Sequence, residues 1–428
     1  MNTIGRCGRL ITAATGQCRP IAGHAACAEV LPQEQSILVH SSECHWTLRK
    51  DHHSCNRTMS ADSGFCKHFG HVTFWVGNAK QAAAHYCARV GFKPLAYKGL
   101  ETGSRKVVAH VVKQNEIVFV FQSPLEPDTP PDMTKFLSTH GDSPKDIAFE
   151  VDDVDAIFKR AQEHGAEIVQ EPVNESDENG TVRYAVVRTF GDITHTFVNR
   201  STYRGLFMPG YTKPRDADPL VDILPAVGLK VVDHMAVACG VEKSAKWYDQ
   251  ILLFEKAYSV DAKTMQTKGS SMTSTVLANK ERTINLNLSE PVNEYGKGPL
   301  QEFIDYHGGP GVAHIAVLTD NIFSTVAALK ARGISFMSVP KNYYVELREK
   351  MKTTDIKFNE DIDELERLQL LVDFESGGFL LQTFTKLMQD RPSLFIEIIQ
   401  RHNNKGFGNG NYKALYKTHE ADKAARGN

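Results

Sequence analysis

A pattern of secondary structure recurs four times along the 428 residues, and it restricts the fold more than any single motif does. The copies begin with HVTFWVGNAKQ at His71, DIAFEVDDVDA at Asp146, DHMAVACGVEK at Asp233 and AHIAVLTDNIF at Ala313. Each opens with apolar and polar residues in alternation, as in a strand, and then spaces its apolar residues three and four apart, as in a helix of about twelve residues. Further strand candidates follow each helix, so the sequence predicts four βαβββ modules.

Two modules in each half of the chain predict paired, strongly curved sheets with the helices outside, which is an α+β fold of two open barrels. The strand candidates between the helices are 107–112, 117–122, 184–188, 194–198, 274–277, 368–372 and 379–384. We predict an N-terminal domain over residues 65–204 and a C-terminal domain over 229–428. Residues 205–228 are the predicted linker, because 205–219 is rich in Pro, Gly and Asp and has no hydrophobic period.

Composition indicates a globular protein, with 41% hydrophobic and 23% charged residues and a formal charge of only −2. Scattered Lys and Arg argue against a nucleic acid or an acidic membrane surface as partner. No apolar run is long enough to cross a bilayer. Five of the eight cysteines precede residue 59, which fits reduced thiols inside a cell better than a disulfide framework.

Residues 1–64 form a predicted extension that is either disordered or a targeting segment. Its start carries Arg6, Arg9 and Arg19 and no acid before Glu29, a composition typical of mitochondrial transit peptides. The alternative is a disordered extension, with the functional protein beginning at Met59. We therefore predict a cytoplasmic protein, or a mitochondrial one if residues 1–58 act as a transit peptide.

Three residues in the second half have the types and positions of a metal site. His234 and His314 are both the second residue of their module's opening segment, and Glu397 lies in the apolar stretch RPSLFIEIIQR. A buried carboxylate needs a proton, a partner or a metal; the simplest alternative is a half-exposed strand or a pair with Arg401. Two His and one carboxylate from separate strands make the facial triad of non-haem Fe(II) oxygenases.

The first half does not repeat this set of residues. His71 occupies the place of His234 and His314, whereas the second module has Asp146 and Ile147 at that place and no matching imidazole. HTFVNR, residues 195–200, aligns with LQTFTK and is not followed by a Glu in an apolar strand. We expect the N-terminal domain to be metal-free and structural, with a role in assembly.

Several longer stretches resemble the 4-hydroxyphenylpyruvate dioxygenase family of the vicinal oxygen chelate, or glyoxalase-like, fold. They are VDHMAV, GGPGVAHIAV, LLVDFESGGFLLQTFTK, RPSLFIEIIQR and GFGNGNYKALY, with YRGLFMPGY and residues 78–112 in the first half. The resemblance runs from about residue 65 to the C-terminus, and it implies one Fe(II) per chain, held by His234, His314 and Glu397. It also implies a homodimer that uses dioxygen to convert 4-hydroxyphenylpyruvate to homogentisate, in tyrosine and phenylalanine catabolism.

The resemblance further implies the substrate-binding residues and a C-terminal lid helix after GFGNGN. These residues are Ser274, Gln382, Phe384, Phe395, Phe407, Asn411 and Tyr412. Taken without the resemblance, Phe384 is equally well explained as core, and Ser274 and Gln382 as ordinary polar strand residues. GFGNGN is a turn before a helix and not a phosphate-binding loop, because it lacks the flanking strand and helix in the required order.

This chain departs from the family where polar side chains are expected to contact substrate. Ala313 replaces the usual Gln before the second His, Ser289 replaces an Asn, and Pro299 replaces the first Gln of a pair of which Gln301 is kept. Lost hydrogen-bonding groups change selectivity strongly. The alternatives are therefore a 4-hydroxymandelate synthase or a dioxygenase of another 2-oxo acid, and, from another class, a non-catalytic protein that binds small molecules.

Overall fold

The computed structural model describes residues 63–427 except 215–217, 264–265, 268–269, 354–356 and 376. The predicted extension thus lies outside the described residues, apart from its last two positions. Within the described residues, no helix is long and apolar enough to span a membrane.

Two eight-stranded sheets, one from each half of the chain, form the framework. The first contains β1 (Cys66–Trp75), β2 (Lys93–Lys98), β3 (Val107–Gln114), β4 (Ile117–Pro124), β5 (Ser143–Val151), β6 (Ile168–Asp177), β7 (Gly180–Arg188) and β8 (Thr194–Asn199). The second contains β9 (Leu229–Ala238), β10 (Glu255–Val260), β11 (Met272–Ala278), β12 (Asn285–Pro291), β13 (Gly311–Thr319), β14 (Leu371–Glu375), β15 (Gly378–Phe384) and β16 (Phe395–His402). Their strand orders, β2-β3-β4-β1-β5-β8-β7-β6 and β10-β11-β12-β9-β13-β16-β15-β14, are equivalent.

The helices follow the predicted repeat. They are α1 (Ala79–His85), α2 (Pro131–His140), α3 (Val154–Glu163), α4 (Leu220–Ile223), α5 (Val241–Trp247), α6 (Pro299–His307), α7 (Ile322–Ala331), α8 (Lys341–Met351), α9 (Ile362–Leu368) and α10 (Tyr412–Ala425). One helix, namely α1, α3, α5 or α7, follows the first strand of each module. The predicted α+β fold of four βαβββ modules is confirmed.

Local sequence explains where three of these four helices begin. Asn78, Asp153 and Asn321 each accept a hydrogen bond from a backbone N–H of the first turn of α1, α3 and α7, which satisfies donors that a helix start leaves unpaired. α1 and α5 each continue into a π-helical turn, Tyr86–Val90 and Tyr248–Leu252, which gives the predicted length. The first of these ends at Gly91, whose φ of 87° favours glycine.

Some boundaries differ from the predictions. β9 and β13 begin before the segments on which the repeat was recognised, so His234 is the sixth residue of its strand and His314 the fourth. The strand predicted at 368–372 begins only at Leu371, because the preceding residues end helix α9. Strands β2, β6, β10 and β12 were not among the candidates; two of them, β2 and β10, are six-residue strands with exposed residues and a weak apolar alternation.

Part of the segment predicted as a linker packs against the first sheet. Phe207 is buried with Ala96, Val111 and Val120, and Thr212 pairs with Tyr97 in an isolated bridge. The residues that follow include the one-turn helix α4. Residues 205–214 lack periodicity because they cover the inner face of the curved sheet as irregular chain and not as a further strand.

Candidate metal centre

Three neighbouring central strands of the second sheet bring His234, His314 and Glu397 together. On β9, β13 and β16, Ala316 is the register partner of both His234 and Glu397, and His314 lies two residues before Ala316 on β13, so it is on the same face. Paired residues of adjacent strands place their side chains on the same face of a sheet. The two His and the Glu therefore point to one place inside the curved sheet, although 163 residues separate the first from the last (397 − 234).

The donor atoms of the three side chains form a small triangle. His234 Nε2 and His314 Nε2 are 3.3 Å apart, and Glu397 Oε2 is 3.3 Å from each of them. Bonds of about 2.1 Å from a divalent first-row ion would set cis donors about 3.0 Å apart in an octahedral face. The observed triangle is slightly wider than this, so the residues fit such an ion. Among the described residues, these three are the group of His, Cys, Asp or Glu able to hold a metal.

A second carboxylate fixes the first imidazole. His234 Nδ1 donates to Asp233 Oδ2 at 2.8 Å, so Nε2 faces the centre of the triangle and offers a lone pair there once a cation displaces its proton. Asp233 also accepts two hydrogen bonds from Arg401, from Nε and Nη2, both at 2.7 Å. The predicted alternative, a pair of Arg401 with Glu397, is therefore replaced by a pair of Arg401 with Asp233.

The electrostatics of the site favour an ionised carboxylate despite its burial. Burial alone would raise the pKa of Glu397, but the charge of His234 and hydrogen bonds from both imidazoles lower it below the usual range. Burial likewise opposes protonation of His234, and the neighbouring carboxylates outweigh it and raise the pKa of that imidazole. The site thus offers negative charge and a nearby imidazole pair, which is a donor set suited to a cation.

A cavity of about 110 Å³ adjoins this centre and contains part of the predicted substrate-binding set. His314, Phe395, Ser289 and Ala313 line it, and the Phe395 ring lies 4.8 Å from the His314 ring. Ser274 reaches the wall of the cavity indirectly, through a hydrogen bond that its hydroxyl donates to Asn287. The pairing of β13 with β9 shifts register between Val312 and His314, and Ala313 lies at this β-bulge.

The other predicted substrate-binding residues are not among those that line this cavity. Phe384 is the register partner of Glu397, and the Phe407 ring is 5.5 Å from the His234 ring. Asn411 is buried and accepts a hydrogen bond from the Tyr343 hydroxyl at 3.1 Å. Tyr412 begins α10, and its side chain lies outside the described residues.

Gln382, also predicted to bind substrate, lies beneath the glycine-rich segment that precedes α10. Its side chain is buried, and its Oε1 has no hydrogen-bond partner in the described part of the chain. A side chain at Gly408, where φ is 71°, would collide with this amide. The glycine at 408 thus allows the backbone to lie directly on Gln382.

Two helices, α6 and α10, close the cavity. The resemblance implied a lid helix only at the position of α10. Pro299 and Phe303 of α6, His419 of α10 and Arg426, directly after α10, line the cavity. Arg426 forms an ion pair of 2.6 Å with the buried Glu302 of α6, which ties the two helices together. Pro299 had been recognised in the sequence as a departure from the family. The ion pair of Arg426 with Glu302 spans 124 residues and has no local sequence signal.

Strand β12 holds a site residue that sequence reasoning missed. In NLNLS, residues 285–289, Leu286 and Leu288 are fully buried in the core, whereas Asn287 and Ser289 lie on the opposite face and line the cavity. Strict alternation of Leu with Asn or Ser is the period of a strand with one polar inner face. That alternation was the sequence signal that could have identified Asn287 as a residue of the inner face.

The first sheet has three residues at the equivalent positions. By register they are His71, Asp146 and Thr196. His71 Nδ1 accepts a hydrogen bond of 2.7 Å from Arg200, and its ring lies 5.0 Å from the Phe207 ring. A carboxylate and a hydroxyl thus replace an imidazole and a carboxylate, and an aromatic ring from the covering segment packs against the remaining His.

Replacing Asp146 with Asn tests the cost of this buried carboxyl. Asp146 Oδ2 has no partner among the described residues, and burial raises the pKa of the group to about 6. Between pH 4 and 6 the unfolded state loses the proton and the folded state keeps it, so stability falls as pH rises, by about 2–3 kcal/mol in all. We expect Asp146→Asn to become more stable than the parent as pH rises from 4 to 8, in urea unfolding at each pH.

The matched control is Glu178→Gln, because Glu178 is exposed in the same half. Its pH profile, measured in the same way, shows what removal of an exposed carboxylate does to stability. Parallel pH profiles for the parent and Asp146→Asn would contradict a raised pKa at Asp146.

Comparison with known proteins gives a consistent assignment. Residues 70–184 and 231–361 both match models of the glyoxalase/bleomycin resistance protein/dioxygenase superfamily. The 4-hydroxyphenylpyruvate dioxygenases of Xenopus tropicalis and Danio rerio are each 50% identical over 364 residues, which cover 84% of this chain and 92% and 91% of those proteins.

A solved structure, a mutant of 4-hydroxymandelate synthase from Streptomyces coelicolor, is 29% identical. It superposes with a TM-score of 0.72 over 84% of this chain and 99% of that one. A match of 364 residues includes parts of both halves of the chain. The chain therefore belongs to the 4-hydroxyphenylpyruvate dioxygenase family, within the vicinal oxygen chelate fold.

Proposed function

We propose that this protein is an Fe(II)-dependent dioxygenase that converts 4-hydroxyphenylpyruvate and dioxygen to homogentisate and carbon dioxide. The observation that carries the proposal is the triangle of His234, His314 and Glu397 in a chain 50% identical to named dioxygenases of this activity. In the proposal these three residues hold one Fe(II) per chain. When bound, the iron supplies the chemistry with dioxygen and two positions for the 2-oxo acid.

The chain's own residues orient and enclose the reactants. Asp233 fixes the His234 ring through Nδ1, and Phe395 beside His314 offers an aromatic face to the substrate ring. Glu397 and His234 are both about 3% exposed, so the centre is shielded from bulk water. Closure by α6 and α10, joined by Glu302 and Arg426, completes the enclosure.

Oxygen uptake by the iron-loaded protein with 4-hydroxyphenylpyruvate, followed by identification of the product, tests the proposal. Homogentisate formed in step with oxygen consumption supports it. Hydroxymandelate would instead favour the activity named for the structural relative, a candidate that Ala313 and Ser289 in the cavity wall keep open. Uptake only with another 2-oxo acid would identify an altered substrate, and no uptake with any 2-oxo acid would favour the non-catalytic binding protein.

Replacing Ala313 with Gln tests whether the loss of the family's usual Gln at this position changed the substrate preference of the cavity. The substitution adds an amide beside His314 in a wall that now carries a methyl group. A neutral hydrogen bond contributes about 1 kcal/mol, so we expect a roughly fivefold rise in kcat/KM for 4-hydroxyphenylpyruvate. Ala313→Leu, of similar size without the amide, is the control. An unchanged or lower kcat/KM for the Gln variant would contradict retuning.

We further infer a cytoplasmic homodimer, with mitochondrial import as the alternative if residues 1–58 act as a transit peptide. Light scattering of the purified protein measures the oligomeric state, and a monomer mass would refute the dimer. Residues 1–58 fused to a fluorescent protein distinguish the compartments, since accumulation in mitochondria would support the alternative.

A further inference from the structure

Asn287 lies in the same row of the sheet as the second imidazole of the metal centre. It is the register partner of Ala236 on β9, and Ala236 is in turn the partner of His314 on β13. Strands are about 4.8 Å apart, so Asn287 is about 10 Å from His314 with a single methyl group between them. All three residues line the same cavity. A ligand held at the metal centre can therefore extend over the small Ala236 side chain as far as Asn287.

The hydrogen bonds of Asn287 determine which of its atoms is available. Its Oδ1 accepts from the Ser274 hydroxyl, and Ser289 Oγ lies 3.4 Å from the same oxygen and 3.3 Å from Ser274 Oγ. None of its hydrogen bonds within the described residues uses Nδ2. An amide nitrogen carries two N–H donors. Ser274 and Ser289 thus fix the orientation of the Asn287 amide through its Oδ1. The Nδ2 group is the donor left for a ligand.

Several other polar groups in the cavity wall are paired or neutral, although the Tyr416 hydroxyl of α10 is buried there without a hydrogen-bond partner among the described residues. Glu302 and Asp422 both pair with Arg426. Burial lowers the pKa of His419 to about 3, so this imidazole is neutral. Residues 289, 299 and 313 carry Ser, Pro and Ala where the family pattern has longer amides. Asn287 is therefore the amide that faces the cavity from the sheet.

We propose that Asn287 is a specificity-determining residue that donates a hydrogen bond from Nδ2 to an acceptor on the substrate's aromatic ring, at the end remote from the 2-oxo acid. The preferred substrates are arylpyruvates with a ring oxygen, and unsubstituted arylpyruvates are disfavoured because they leave Nδ2 unpaired on binding. The inference rests on the proposed function for its choice of ligand. It assigns this discrimination to a residue outside the predicted substrate-binding set.

The test compares 4-hydroxyphenylpyruvate with phenylpyruvate in the parent, Asn287→Leu and Asn287→Asp. Leu keeps the size and removes both polar ends, whereas Asp keeps acceptors for the two serines and removes the donor. A site built to bond a ring oxygen loses selectivity when the donor goes, so we expect the ratio of kcat/KM values to fall at least about tenfold in both variants. The loss should appear mainly in KM for 4-hydroxyphenylpyruvate.

Equilibrium binding of both acids to the iron-loaded protein without oxygen, measured by calorimetry, separates this inference from the proposed function. If the parent turns over neither acid, the proposed function fails, and the ratio of dissociation constants still tests Asn287. Thermal unfolding of each variant identifies a folding defect, and Asn287→Val is the substitute if Leu is not tolerated. Parent-like ratios in folded variants, by kinetics or by binding, would overturn the proposal.

Discussion

We expect Glu397→Gln to abolish turnover while the fold persists. The amide keeps the size of the side chain on β16 but loses the charge that the two imidazoles and the cation require. Loss of an outer-shell partner costs about 10–100-fold in metal affinity, and loss of a direct anionic ligand should exceed that. We expect iron content after desalting to fall below a tenth of that of the parent, and oxygen uptake to be undetectable.

Glu346→Gln is the matched control, because Glu346 is exposed on α8 of the same half. It should retain parent iron content and turnover. The thermal midpoint of metal-free Glu397→Gln should remain within a few degrees of that of metal-free parent. Sustained oxygen uptake by Glu397→Gln would remove this residue from the site.

Asp233→Asn is expected to reduce both stability and metal affinity, because Asp233 joins two buried partners. Breaking a buried ion pair costs about 3–5 kcal/mol. Arg401 keeps hydrogen bonds to the Asn404 and Gly406 carbonyls and is 19% exposed, so we expect the lower end of that range. For a folded unit of this size, a loss of about 3 kcal/mol corresponds to roughly 4 °C in the midpoint of thermal unfolding.

The same variant should bind Fe(II) about 10–100-fold more weakly, since the His234 ring loses the charged acceptor that orients it. Asp320→Asn, which removes an exposed pair with Lys230, should change stability by less than about 0.5 kcal/mol and leave affinity unchanged. If Asp233→Asn retained parent metal affinity, the Asp233 carboxylate would not orient the ligand.

Much of the fold was predictable because the repeat combines two different periods in one unit. The alternation in strands and the three-and-four spacing in helices recur at His71, Asp146, Asp233 and Ala313, and Asn or Asp caps mark three of the helix starts. The same alignment singled out His234 and His314. Glu397 was recognisable because a carboxylate among consecutive apolar residues needs a partner.

The surroundings of these residues were less predictable because they depend on register. The Asp233 pair with Arg401 spans 168 residues, and nothing near either residue in the sequence indicates the other. Phe384 and Phe407 do not line the cavity that Asn287 lines, and their contact with substrate, which the resemblance implies, stays a prediction. A one-residue change of register would turn Asn287 to the other face of the sheet, so its role depends on how β12 pairs with β9.

The strand order of the second sheet gives the metal centre a mechanical consequence. His234 belongs to the third module and both other donors to the fourth, so a bound cation would cross-link two modules whose strands meet only at the β9 and β13 seam. Such a cross-link closes a loop of 163 residues between the outer donors (397 − 234). A chain that ends before β16 would keep His234 and His314 but lack Glu397, and a cation would then have no carboxylate ligand from the fourth module.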